Sequence, residues 1–348
     1  MEGSSYYPHQ RSGTAFLLNN DDYFLFLDMT HPPKHLFSLH FDIVHGCQLR
    51  CVGCPNSTLQ PGIQLISIED FGRCLGNIDV ERIHTFRLFN FGEPLLHRQL
   101  SAIVAEIPKQ RWKVSVVEIS TNGQWVDWDE FEAMVKLEVV NKLVVSCDGD
   151  GTPECYERLR PPSKWGKLVE FLDRARYLRD RWAPAMHLCT RTVIRTRADA
   201  QRWEDFLRPR GWMPEFRRWM HAPGAKENLT GRVVTVPAGP CLFLADAREF
   251  TSHTWFGEIN LLYLDADGTV VPCCMHPRAG VFGNLKNQKY SEILNGSARR
   301  AMKQAMQENR AAMPVCGDCD VGAVGNEGPS FFSTITYWRT NKEELSND

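Results

Sequence analysis

Along the chain, short runs that alternate apolar and polar residues are separated by longer stretches whose apolar positions recur at helical spacing. Strands are predicted over residues 36–44, 85–91, 114–120, 142–146, 187–195 and 215–220. A helix is predicted from Ser67, which with Ile68, Glu69 and Asp70 forms an N-cap, to Ile78. Others are predicted over 98–107, 164–181 and 200–207. This rhythm of six strand-and-helix units predicts an α/β fold, a parallel sheet or barrel wrapped by helices. Pro223-Gly224 and the stretch from Pro237 to Pro240 break the rhythm and mark a domain boundary. Beyond them, residues 261–271 read as a hairpin turning at Asp267-Gly268, and residues 291–307 as an amphipathic helix.

With 348 residues, 43% of them hydrophobic, the chain can bury a large core, and its length suits one large domain and a smaller one. A net charge of −2 exerts no global pull toward nucleic acid. The run from Tyr23 to Leu27 is far too short to span a bilayer, so no membrane association is expected. Twelve cysteines would suggest disulfides in a short secreted protein, but the N-terminus has no basic segment followed by an apolar one. The cysteines are therefore read as metal ligands or reduced thiols, in a cytoplasmic protein.

The densest chemistry lies in His45-Gly46-Cys47-Gln48-Leu49-Arg50-Cys51-Val52-Gly53-Cys54, just after the first strand. Three thiolates on one loop can hold three corners of a four-iron cluster and leave the fourth iron open. A structural zinc site normally takes four protein ligands, drawn from paired C-x-x-C knuckles, so an odd number counts against it. The C-x-x-x-C-x-x-C spacing resembles the signature of the radical S-adenosylmethionine (SAM) enzymes. Further on, Gly92-Glu93-Pro94 at the end of the second strand resembles the motif with which that family holds the SAM amine: Glu93 can accept from an ammonium, and Gly92 lets backbone approach the ligand.

The resemblance, which spans residues 36–320, implies a partial (β/α)6 TIM-like barrel over 36–222. In such barrels the chemistry gathers at the C-terminal ends of the strands. By family position, Ser120, Asn122, Ser146 and Asp148 contact SAM, its ribose or the substrate. Strand alternation points Ser146 and Asp148 one way and Cys147 the other. Arg158 or Arg160, with Arg160 favoured, lies where relatives pair an arginine with the SAM carboxylate, and Arg195 is a second candidate.

A second cysteine set, Cys241, Cys273, Cys316 and Cys319, follows the boundary, with Cys274 an alternative to its neighbour. Its order resembles the twitch extension, a shortened SPASM domain, here over 223–320, which implies an auxiliary [4Fe-4S] cluster. Taken alone, four thiolates with one C-x-x-C knuckle would suit zinc equally well. Residues 1–35 are left as an N-terminal extension and 321–348 as a tail.

The family implies that an electron, from an external donor such as flavodoxin or ferredoxin, reaches the first cluster. Bound SAM is then cleaved to a radical that takes hydrogen from an unactivated C–H bond. A fully ligated auxiliary cluster suits an electron acceptor, which favours dehydrogenation of a small polar substrate. Relatives of this kind include dehydrogenases and epimerases of aminocyclitols and sugars in antibiotic biosynthesis. An epimerase, or a decarboxylase or lyase, is the alternative outcome, and for epimerisation Cys147 and Cys189 are the candidate hydrogen donors. Peptide-modifying relatives usually carry an added recognition domain, for which residues 1–35 are too short. A zinc-stabilised binding protein is the reading without catalysis.

Overall fold

The computed structural model describes residues 34–244 and 261–322. Most of the expected N-terminal extension and C-terminal tail therefore lies outside the described residues. Six parallel strands run side by side in chain order: β1 (His35–Phe41), β4 (Arg82–Arg87), β5 (Lys113–Thr121), β6 (Lys142–Asp148), β7 (His187–Ile194) and β8 (Met213–Arg218). A short pair, β2 (Val44–His45) and β3 (Gln64–Leu65), brackets the cysteine loop. The parallel order and its covering helices make this the expected radical-SAM-type partial barrel.

The hairpin β9 (Leu261–Leu264) and β10 (Thr269–Val271) does not stand apart from the barrel. β9 pairs parallel with β1, Ser38 opposite Leu261 and Phe41 opposite Leu264, and β10 continues antiparallel to β11 (Gly283–Asn284). One nine-stranded sheet thus joins the two cysteine regions. Backbone ladders hold them, which a flexible linker would not.

The helices and the sheet share an apolar core. Phe71, on the helix Ile68–Gly76, packs against Phe41 and Phe86, and Phe86 against Trp112, with ring centroids 5.1, 6.3 and 6.0 Å apart. Burying each such ring is worth about 2–3 kcal/mol. Ser67 caps this helix as expected, accepting from the Asp70 amide.

Three expectations need revision. The second strand ends at Arg87, because the amides of Asn90, Phe91 and Gly92 turn away from the ladder to the Asp42 carboxylate. The helix expected over 291–307 is two, Tyr290–Leu294 and Ser297–Asn309, separated where Gly296 adopts an extended conformation. Helices Trp128–Lys136 and Pro153–Leu159 were not foreseen, although Asp127 and Thr152 cap them.

Candidate active site

The cysteine loop rises from the end of β1 and is stitched to its surroundings by backbone bonds. The Arg50 amide donates to Pro161 (2.6 Å), Val52 to Leu159 (3.0 Å) and Glu93 to the Gly46 carbonyl (3.1 Å). Cys47, Cys51 and Cys54 are half-buried, free thiols. Burial raises all three pKa values, Cys51 adds to the rise at Cys47 and Cys54, and Cys54 adds to that at Cys47; Cys54 is pushed up to about 12. Gathered thiols of this kind ionise only when a cation balances them, which is the condition a metal cluster meets.

Asn122 ties the strand ends to this loop. Its side-chain amide donates to the Cys47 sulfur (3.5 Å), and its carbonyl accepts from Gln48 (3.0 Å). Beside it, the buried Glu93 carboxylate accepts from the Thr121 hydroxyl (2.6 Å) and from the amides of Asn122 (2.8 Å) and Leu95 (3.1 Å). Burial raises the Glu93 pKa against those donors.

Gly92 has a further reason beside the one its motif suggests. A Cβ there would stand 1.7 Å from the Val44 carbonyl oxygen, so the close approach is to the protein's own backbone. Asp42, which sequence reasoning missed, sets that contact by holding three successive amides of the turn. Burial nevertheless lifts its carboxyl to about 7.

Arg160 and Asp148 form a buried ion pair beside the loop, and the guanidinium Nε has no partner. Asn90, next to the turn, likewise has both ends of its side-chain amide buried and unpartnered. Unsatisfied donors and acceptors at a mouth fit a polar ligand that completes them. Ser120 and Ser146 share this end of the sheet, on β5 and β6. Arg195 and Arg158 are exposed.

Inside the barrel lies a charged network. Glu118, 3% exposed at its side chain, meets Arg191 (2.9 Å), Arg87 (3.5 Å) and Lys142 (3.8 Å); Lys142 also reaches Glu215 (2.6 Å). Burial alone would raise the Glu118 pKa, but these cations hold its carboxyl well below the usual range. His40 accepts from Arg87 at 3.0 Å, and burial with the nearby guanidinium keeps its pKa well below the ordinary value. Phe89 lies under the Arg191 guanidinium and Tyr263 beside His40. The signal was in the sequence: charges at Arg87, Glu118 and Arg191 interrupt strands that, covered on both faces, should be apolar.

Cys189 belongs to the Arg191 side of β7 and is influenced by Lys142, Glu215, Glu118 and Arg191. Cys147 is different: fully buried, it packs in the apolar core with Leu143 and Val145.

In the C-terminal part, Cys241, Cys273, Cys316 and Cys319 line one small void of about 20 Å³ with Met275, Met302 and Met306. Cys274 turns instead to Tyr263, to which its side chain is hydrogen-bonded. His45, at the head of the first loop, contacts Asp265 of the hairpin at 2.7 Å, so the two cysteine regions are joined by a side-chain bond as well. This void fits an anionic metal–thiolate centre: Arg310, 2% exposed, borders it with Nε and Nη1 unpartnered among the described residues.

Two sets of free thiols, one on the loop at the mouth of the parallel partial barrel and one beside its edge hairpin, point to metal–thiolate chemistry, although among the described residues no three ligands already stand in metal-holding geometry. Family models make this specific: residues 42–193 match the Radical SAM superfamily and residues 256–320 the SPASM iron-sulfur cluster-binding domain. The chain thus carries a radical SAM domain followed by a SPASM-type domain, and these domains imply a [4Fe-4S] cluster, SAM and an auxiliary iron–sulfur cluster.

No curated protein sequence matches the chain. Among solved structures, SuiB of Streptococcus suis bound to precursor peptide SuiA is similar over 84% of this chain and 72% of its own, at 11% identity and a TM-score of 0.58. The anSMEcpe structure with bound AdoMet is similar over 83% and 89%, at 15% identity and 0.53. BtrN in complex with AdoMet and 2-DOIA gives 84% and 96%, 15% and 0.48. At these identities the likeness to SuiB and anSMEcpe is one of fold. Among the described residues no helix is long and apolar enough to cross a membrane.

Proposed function

We propose that this protein is a radical SAM oxidoreductase that dehydrogenates a small polar metabolite, a sugar or aminocyclitol intermediate of natural-product biosynthesis. The observation that carries this reading is the four-thiol set bordered by a buried arginine, two of whose nitrogens have no partner among the described residues. A centre with four protein thiolates keeps no open iron for substrate and suits electron transfer. The charged barrel interior supports a polar substrate, since Arg87, Lys142, Arg191 and Glu118 offer donors and acceptors that an apolar molecule would leave unmatched.

In this reading Cys47, Cys51 and Cys54 hold the first cluster, and Cys241, Cys273, Cys316 and Cys319 the auxiliary one. When bound, the first cluster and SAM supply a radical that takes a hydrogen atom, and the auxiliary cluster supplies a sink for the electron left on the substrate. Glu93 orients the SAM ammonium, Arg160 its carboxylate through the free Nε, and Ser120 and Ser146 face the ribose or substrate. Asp148 holds Arg160, and Asn122 holds the cysteine loop. The domain division at residue 223 is kept as a division of roles, although the sheet is continuous. The twelve free thiols suit a reducing cytoplasm, with a flavodoxin- or ferredoxin-type electron donor.

The test is anaerobic turnover with SAM and dithionite across sugars, aminocyclitols and their phosphates in deuterated water. A product two hydrogen atoms lighter, formed with one 5′-deoxyadenosine, is expected. A product of unchanged composition carrying solvent deuterium at carbon would make the enzyme an epimerase instead.

A further inference from the structure

Arg310 is the least explained charge among the described residues. It follows the helix Ser297–Asn309 and begins the turn Arg310–Ala312, a few residues before the Cys316–Cys319 knuckle. Its side chain enters an apolar cluster of methionines and cysteines and is 2% exposed. Nη2 donates to the Cys319 carbonyl at 3.1 Å, while Nε and Nη1 have no hydrogen-bond partner among the described residues. A buried guanidinium that meets no carboxylate among the described residues costs several kcal/mol, and a helix end can be closed by an uncharged residue. Something anionic in the void is needed to account for it, and the four sulfurs are what it faces.

We propose that Arg310 raises the reduction potential of the auxiliary cluster, making it an acceptor for the substrate's electron. This rests on the ligand assignment above. Reduction adds one negative charge to the cluster core, and a fixed positive charge with free N–H donors stabilises that state more than the oxidised one. Potentials of such clusters follow net charge and hydrogen bonding to sulfur. The same residue in an exposed position would do little, because water screens it; buried among methionines it acts at low dielectric.

The experiment isolates the second centre by changing Cys47, Cys51 and Cys54 to alanine in the full chain, purified anaerobically. Iron content and the electron paramagnetic resonance signal are followed during a redox titration of this protein and of its R310M, R310Q and R310K forms. R310M and R310Q are expected to retain iron while their reduced-to-oxidised ratio at a fixed poise falls at least tenfold, about 59 mV for a one-electron couple. R310K, which keeps the charge, is expected to stay within threefold. A neutral variant that retains iron at the unchanged midpoint overturns the proposal; should R310M lose iron, R310Q decides on the same criterion. Loss of iron from R310M and R310Q alike, with R310K loaded and unshifted, would also overturn it and make the charge a requirement for assembly. Absence of iron with Arg310 intact would instead overturn the ligand assignment itself.

Discussion

Replacing Glu118 by glutamine tests whether the barrel interior is organised around one carboxylate. Glu118 is the shared acceptor of Arg191 at 2.9 Å, Arg87 at 3.5 Å and Lys142 at 3.8 Å. Removing one member of a buried ion pair costs about 3–5 kcal/mol, because the partners remain charged and desolvated. Side chains of the three cations keep 22–26% exposure, so the lower end applies, about 3 kcal/mol. For a chain of this size that corresponds to a fall in unfolding temperature on the order of 5–10 °C, readable by differential scanning at one scan rate. Adding R191Q to E118Q should return part of the loss, with a coupling of about 1–3 kcal/mol. The sign with pH follows from the depressed carboxyl: its contribution is fully present above the unfolded value and is lost only as pH falls through the folded one. The deficit of E118Q should therefore be the same at pH 6 and pH 8. A change in unfolding temperature under about 1 °C, or no coupling to R191Q, would refute the reasoning.

Gly92→Ala would set a methyl 1.7 Å from the Val44 carbonyl and push the turn that carries Glu93. SAM affinity, measured by equilibrium dialysis, should fall at least tenfold, about 1.4 kcal/mol, with iron content unchanged; wild-type affinity would show that the turn yields without consequence. His45 behaves oppositely to Glu118. Its hydrogen bond to Asp265 raises its pKa, so the stabilisation is complete below about pH 6.5 and is lost as pH climbs through the folded value. Wild type should lose a few degrees more in unfolding temperature between pH 6 and pH 9 than D265N, and equal slopes would dismiss the contact.

Much of this architecture was legible because it depends on local pattern. The alternation at 114–120 and 187–195 gave strands within a residue or two, and Ser67 announced its helix through Asp70. Asp127 followed by Phe131, Met134 and Val135 carried the same kind of signal for Trp128–Lys136, and reading it would have added that helix. The cysteines of both regions were legible as chemistry because their spacing is itself the motif. What could not be read depends on approach between distant segments. Asp42 captures amides nearly fifty positions away, Gly92 meets Val44, Cys274 turns to Tyr263, and Arg310 is buried against sulfur. Cys147 shows the converse: alternation assigned its direction, but only the packed helices establish that this side is core.

Metal analysis and visible absorption after anaerobic purification, repeated with Cys47, Cys51 and Cys54 all changed to alanine, test the central claim most directly. The account predicts about eight irons per chain falling to about four, with the brown absorption reduced and retained. Colourless protein holding about one zinc in both forms would contradict it.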